Sequence, residues 1–301
     1  MKLSWRGIFP AVTTQFKPDF SLDMDGIERV IKRLVEDGVS GMVVCGTVGE
    51  GNALTADEKR VVMEIAVGAV GGKIPVLVGV SEYTTALAVK LATEAQTTGV
   101  DGLMVLPAMA YAAKPGEIVT HFKTIAGTTD LPVMIYNNPS AYGNDVTPEM
   151  AAELAKIDTV VAIKESSGQT ARFVDLKNTV SDDLLLFCGL DDVLVESVTL
   201  GAVGWVSGMS NVFPREAKQL FELAKAGRMD DALTLYRWFM PLLHLDARPD
   251  LVQCIKLCEQ IAGRGSELTR PPRLPLTGDE RAEIEALMAT ALDSKPLIQD
   301  L

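Results

Sequence analysis

Apolar residues fall along the chain in short unbroken runs, separated by longer stretches in which they recur every three to four positions. The runs are 8-IFPAVTT, 42-MVVCG, 75-PVLVGV, 102-GLMVLP, 132-PVMIYNN, 160-VVAIKE, 184-LLLFCG and 203-VGWVSG. Each leads through a turn into an amphipathic helical pattern: Met24 to Asp37, Ala56 to Gly71, Thr84 to Thr98, Pro115 to Ala126, Pro148 to Lys156, Thr170 to Val180, Asp192 to Leu200, and Pro214 to Ala226. A strand covered on both faces needs apolar residues at every position, so these runs read as parallel strands buried under helices. Eight such alternations, with no dinucleotide-type glycine fingerprint after the first, predict an α/β fold of the (β/α)8 TIM-barrel type over residues 1–226. The rhythm then breaks. Helical patterns at Asp230 to Asp246, Leu251 to Ala262 and Gly278 to Ala291, with the connector 270-RPPRLPL-276, predict a C-terminal helical extension over residues 227–301, packed on the barrel.

Composition removes several function classes. A chain of 301 residues with 48% hydrophobic content can bury a barrel-sized core. Its net charge of -12, with no basic run longer than two, opposes binding to a phosphate backbone, so no nucleic-acid partner is expected. No apolar stretch reaches the roughly 18 residues that span a bilayer, and 1-MKLSWR lacks a signal-peptide hydrophobic region; neither membrane association nor export is expected, and the localisation read is cytoplasmic. Four cysteines are too few for a disulfide scaffold. Cys45 and Cys188 close apolar runs, and Cys254 and Cys258 share a helix face without a third ligand, so all four read as packing residues and no metal site is expected. The two histidines, His121 and His244, lie in amphipathic helical segments and read as surface or capping groups. The apolar segment 236-YRWFMPLL reads as a subunit contact.

In a barrel of this kind chemistry gathers at the carboxyl ends of the strands. Those ends carry Thr47 and Glu50 in 46-GTVGEGN-52, Tyr136 and Asn137, Lys164 and Glu165, Gly189 and Asp191, and Ser207. Lys164 is the conspicuous member, because a lysine closing the buried run 160-VVAI either reaches the surface or has its ammonium destabilised in an apolar mouth. In the second case its amine becomes a nucleophile that forms imines, and a protonated imine is an electron sink that needs neither metal nor flavin. Such chemistry requires a proton shuttle, which the Tyr136 phenol can supply and Thr47 can extend. Glu50 and Glu165 read as loop anchors, Tyr111 as a solvent-edge residue and Trp205 as a packing residue.

The combination of 46-GTVGE, 136-YNNP and 163-IKESS resembles the dihydrodipicolinate synthase/N-acetylneuraminate lyase family, with the likeness running from 7-GIFPAVTTQF to the helical tail. The resemblance implies that Lys164 forms the imine with a 2-oxo acid, that Tyr136 carries the proton and that Thr47 joins its relay. It also implies that N–H groups of the 46–50 loop hold the substrate carboxylate, that the covalent imine on Lys164 replaces any cofactor, and that the protein is a homo-oligomer, commonly a dimer of dimers. Three departures bear on the substrate. The synthases usually carry threonine at the position of Val48, an arginine at that of Ala141 to grip a second carboxylate, and a tyrosine pair where this chain has 107-PAMAY.

Segments 136-YNNPSAYGNDVTPEM-150, 236-YRWFMPLLHLD-246 and 270-RPPRLPLTGDE-280 are most similar to the subgroup of that family that deaminates 1-pyrroline-4-hydroxy-2-carboxylate, in hydroxyproline breakdown. The resemblance implies 2-oxoglutarate semialdehyde and ammonia as products. The candidate catalytic residues are then Lys164, Tyr136 and Thr47, and the candidate substrate-binding residues are Thr47, Val48, Gly189, Asp191 and Val206, with Asp191 assigned to the C4 hydroxyl. The alternative is a 2-keto-3-deoxy-sugar-acid aldolase or dehydratase, which would use the same lysine and tyrosine; dihydrodipicolinate synthase itself is a further alternative. A catalytically dead, ligand-binding relative would have no need to keep Lys164, Tyr136 and Thr47 together.

Overall fold

The apolar runs form eight parallel strands that pair side by side in the order β1-β8-β7-β6-β5-β4-β3-β2: β1 (Gly7–Pro10), β2 (Met42–Val44), β3 (Val76–Val80), β4 (Gly102–Val105), β5 (Val133–Asn137), β6 (Val160–Glu165), β7 (Leu185–Cys188) and β8 (Gly204–Ser207). The seam between β1 and β2 is drawn together just beyond β1, where the Val12 N–H donates to the Val43 carbonyl at 2.8 Å. The result is the expected (β/α)8 barrel. The computed structural model describes residues 5–108, 110–180 and 184–297, so the expectation placed on residues 1–4, the Met109 position of 107-PAMAY and the end of the extension at 298–301 lie outside the described residues.

The helices are α1 (Met24–Glu36), α2 (Ala56–Val70), α3 (Thr85–Thr98), α4 (Pro115–Ala126), α5 (Pro139–Tyr142), α6 (Pro148–Leu154), α7 (Arg172–Thr179), α8 (Leu194–Thr199), α9 (Pro214–Lys225), α10 (Met229–Leu243), α11 (Leu251–Ile261) and α12 (Gly278–Asp293). Local chemistry sets several ends. A reciprocal Thr55/Glu58 capping box opens α2, and Gly99, at φ 89°, closes α3 in the left-handed region that a side chain disfavours. Among the described residues no helix is long and apolar enough to cross a membrane.

Three expectations change. The segment 236-YRWFMPLL packs within the chain: Phe213 of the barrel stands edge-on to Trp238 and Phe239, at 5.4 and 5.8 Å between ring centres, and the Trp238 indole donates to the Ala291 carbonyl. Part of the segment thus faces inward, while Arg237 and Pro241 stay exposed at its surface. His121 is buried rather than superficial, bridging Thr85 Oγ1 at 2.9 Å and the Leu106 carbonyl at 3.1 Å, and burial lowers its pKa. His244, by contrast, is exposed, caps the end of α10 and meets Asp192 Oδ2 at 3.0 Å. Finally, α10 stops at Leu243, and residues 244–247 form a 3-10 turn instead of prolonging the helix. That turn places Asp246 at the barrel mouth. All four cysteines are free and buried, and burial pushes the Cys45, Cys188 and Cys254 thiols up to about 12.

Candidate active site

At the carboxyl ends of β5 and β6, Tyr136 and Lys164 are register partners, so strand pairing itself sets them side by side. Both are buried, at 5% and 6% exposure, and Lys164 Nζ lies 4.0 Å from the centre of the Tyr136 ring. Burial lowers the lysine pKa, partly opposed by the negative charge of Asp246. The lysine is therefore neutral, and nucleophilic, over a wider pH range than a surface lysine. It does not snorkel to solvent.

A cavity of about 50 Å³ opens over the amine, lined among others by Thr47, Val48, Tyr136, Tyr142, Gly189 and Asp246. Gly189 is sterically required: a Cβ there would stand 2.8 Å from Lys164 Cγ and 1.9 Å from Ser166 Oγ. The loop after β2 is equally tight. Cys45 and Glu50 both hold positive φ, and a Cβ on Gly51 would come within 2.0 Å of the Cys45 carbonyl oxygen. Glu50 is fully buried and pins this loop to the extension through Lys256 Nζ at 2.9 Å and the Arg270 N–H at 3.0 Å. Among the described residues no acceptor takes the Thr47 or Val48 N–H, so two backbone donors remain at the pocket wall. Glu165 accepts from Asn137 Nδ2 and the Ser167 N–H, at 2.9 and 2.6 Å, and so anchors its own loop.

The hydroxyl groups beside the lysine include one that the sequence did not point to. Thr47 Oγ1 lies 2.5 Å from the Tyr142 hydroxyl, and Tyr142 packs edge-on to Tyr136 at 5.6 Å between ring centres. Tyr142 thus stands between Thr47 and Tyr136, and burial raises the pKa of both phenols, keeping them protonated. It reaches this place because Asn138 caps the single turn of α5, with its Oδ1 accepting the Ala141 N–H at 3.1 Å. Tyr111 is 61% exposed at the solvent edge and does not line this pocket.

Two of the expected binding residues stand elsewhere. Asp191 is buried with its oxygens committed to Trp205 Nε1 at 2.9 Å, Ser207 Oγ at 3.1 Å and the Met209 N–H at 2.7 Å, and neither it nor Val206 lines the pocket. The carboxylate that does line it is Asp246. The extension delivers that group from a point more than fifty residues away in sequence, which no local pattern marks. Among the described residues no cluster of three or more His, Cys, Asp or Glu is arranged to hold a metal.

Residues 4–291 match the model of the dihydrodipicolinate synthetase family. The chain is 34% identical over 277 residues to the 4-hydroxy-tetrahydrodipicolinate synthase of Methanosarcina barkeri, covering 91% of this chain and 94% of the relative. It is 32% identical to an uncharacterized DapA-like lyase of Rhizobium meliloti, covering 97% and 99% of the two chains. The solved dihydrodipicolinate synthase DapA-2 of Bacillus anthracis superposes with a TM-score of 0.92 at 27% identity, over 95% of this chain and 98% of that one. A prophage protein of the same family from E. coli K12, solved in complex with pyruvate, gives 0.90 at 27% identity, over 96% and 99%. With a buried lysine beside two phenols at the barrel mouth, and with matches that run nearly end to end, the chain belongs to the dihydrodipicolinate synthetase family of Schiff-base-forming lyases.

Proposed function

We propose that this enzyme deaminates 1-pyrroline-4-hydroxy-2-carboxylate to 2-oxoglutarate semialdehyde and ammonia, with Lys164 as the imine-forming residue. The observation that carries the reading is the charge pattern of the pocket. Its lining holds one cation, Lys164, and one carboxylate, Asp246, with Ala141 where an arginine would grip a second carboxylate. A substrate with one carboxylate fits the free N–H groups of Thr47 and Val48. An acceptor bearing another carboxylate would meet Asp246 with nothing to balance it. The names of the relatives favour a second reading, 4-hydroxy-tetrahydrodipicolinate synthesis, and that reading lacks a cationic partner here for its second substrate. The small cavity also disfavours the long polyhydroxylated chains of sugar acids.

In the proposed mechanism neutral Lys164 attacks C2 and displaces the ring nitrogen, giving an open-chain imine with a primary amine at C5. Tyr136, coupled to Tyr142 and Thr47, gives its proton to the departing ring nitrogen and, as the phenolate, takes a C3 proton, so that the electron pair is held as an enamine. That pair then expels the C4 hydroxyl as water. Loss of a proton at C5 and return of one to C3 leave a C4–C5 enamine, whose tautomer hydrolyses to aldehyde and ammonia. A second hydrolysis frees Lys164. One water is released and two are consumed, matching the net reaction. The imine is itself the electron sink, so the chemistry calls for no added cofactor. A cytoplasmic homo-oligomer built as a dimer of dimers completes the proposal, with the exposed Tyr83, Leu87 and Tyr111 as apolar surface available for contact.

The test is borohydride trapping with peptide mapping, alongside ammonia release, using pyruvate and the pyrroline separately. Adducts on Lys164 together with ammonia from the pyrroline support the deaminase; a pyruvate adduct without pyrroline turnover moves the substrate to an aldol or dehydration reaction. Within this mechanism Tyr142→Phe deprives Thr47 of its partner. Its kcat is expected to fall by roughly 10- to 100-fold while trapping of pyruvate persists, and an unchanged kcat would remove Tyr142 from the relay.

A further inference from the structure

The mechanism leaves the far end of the substrate without an acid, and the pocket holds one group that nothing so far employs. Asp246 is the acidic residue among those lining the cavity, and it lines the cavity together with Lys164 and Tyr136. It is half-buried, and its charge is felt at both of those residues. Its neighbour Gly208 makes room for it, since a Cβ there would come within 2.4 Å of Asp246 Oδ1. The carboxylate has the backbone amide of Asp191 beside it, and among the described residues no side chain donates to it. The buried Asp191, by contrast, already accepts three hydrogen bonds. Of the two acids, only Asp246 is free to exchange protons with a ligand.

We propose that Asp246 is the acid–base catalyst for the distal half of the substrate, complementing the tyrosine relay at C3. This rests on the deaminase reading given above. The protonated carboxyl gives its proton to the C4 hydroxyl as the C4–O bond breaks, the enamine pair forms the C3–C4 double bond, and water leaves. The Asp246 carboxylate then takes the C5 proton as the double bond moves to C4–C5, while Tyr136 returns its proton to C3. Asp246 ends the sequence protonated, as it began, and hydrolysis of the Lys164 imine returns a proton to Tyr136. The groups facing Asp246 are Lys164 from β6, Tyr136 from β5, and Asp191 and Asp192 from the turn after β7. Burial, reinforced by Asp192, pushes its pKa up to about 6, against the opposing pull of Lys164. A general acid works in its protonated form, so the step slows as pH rises through that ionisation.

The test compares wild type with Asp246→Asn in three assays: borohydride trapping of pyruvate on Lys164, exchange of pyruvate C3 protons in heavy water followed by NMR, and ammonia release from the pyrroline across pH 5–9. The variant is expected to trap and exchange pyruvate within about threefold of wild type, showing a folded enzyme with its relay intact, while ammonia release falls by roughly 100-fold or more. The alkaline decline of ammonia release seen in wild type is expected to vanish in the variant and to be missing from wild-type pyruvate exchange. If wild type releases ammonia and the variant does so at a similar rate, the role of Asp246 is refuted and the deaminase stands. An equal loss in all three assays also refutes it, since Asp246 would then only position Lys164. Failure of wild type to release ammonia overturns both readings together.

Discussion

Replacing Lys164 with alanine is expected to lower turnover by roughly 10⁴-fold or more, the scale of losing a nucleophile that acts as a unit with its neighbours, and to abolish borohydride trapping altogether. The effect on stability has the opposite sign. Burial depresses the lysine pKa in the folded chain, so the native state binds fewer protons than the unfolded state between that depressed value and the ordinary lysine pKa. Stability contributed by this residue therefore rises with pH through that window, and below it the ammonium opposes folding in full. Removing the amine relieves that opposition, and the stem borders an open cavity rather than a packed core, so little packing is lost. Thermal midpoints of Lys164→Ala at pH 7 should equal or exceed those of wild type, converging as pH is raised. A midpoint well below wild type would show that the amine stabilises the fold, contradicting a lysine held strained for chemistry.

The same residue shows why part of this site was legible in the sequence. A lysine closing a run of apolar residues announces a buried or strand-end amine without any three-dimensional information, and parallel strands reveal themselves because both of their faces are covered. Tyr136 and Thr47 close or follow comparable runs. Tyr142 gives no such signal: it sits in a four-residue helix, too short for any periodicity, and its role depends on where Asn138 turns the chain. Asp246 is hidden for another reason. The helical pattern of α10 takes it in as the last residue, and only the 3-10 turn after Leu243, packed over the turn following β7, carries the carboxylate into the mouth. Asp191 looked like the pocket acid because it follows β7 closely, yet it is fully buried and three donors consume its oxygens. His121 misled in the same way, since a polar residue on a helix reads as superficial unless its partners, here Thr85 and the Leu106 carbonyl, are known. Local pattern located the strand-end chemistry; contacts between distant segments chose its partners.

A contact of that distant kind carries the largest expected effect on stability. Lys256, on α11 of the extension, is fully buried, and its ammonium donates to the Thr14 carbonyl at 2.7 Å, to Glu50 Oε1 at 2.9 Å and to the Leu268 carbonyl, while resting 4.7 Å from the centre of the Phe16 ring. Its three protons are thus all used. Lys256→Met is expected to destabilise the protein by about 3–5 kcal/mol, because it leaves two carbonyls and Glu50 Oε1 unpaired in the interior, with Arg273, 3.8 Å from Oε2, as the carboxylate's remaining cation. The check is urea denaturation, with the midpoint lowered at unchanged slope. Adding Glu50→Gln should recover part of the loss by removing that charge, although the Arg270 N–H then keeps a weaker acceptor. A single-variant cost below about 1 kcal/mol, typical of exposed pairs, would mean that water reaches Glu50. Because Glu50 also fixes the loop that presents the Thr47 and Val48 N–H groups, the single variant should raise KM for a carboxylate substrate more than it lowers the fraction of Lys164 that can be trapped at saturation. The ion pair that joins the extension to the barrel is, on this account, also what holds the carboxylate cradle over the reactive lysine.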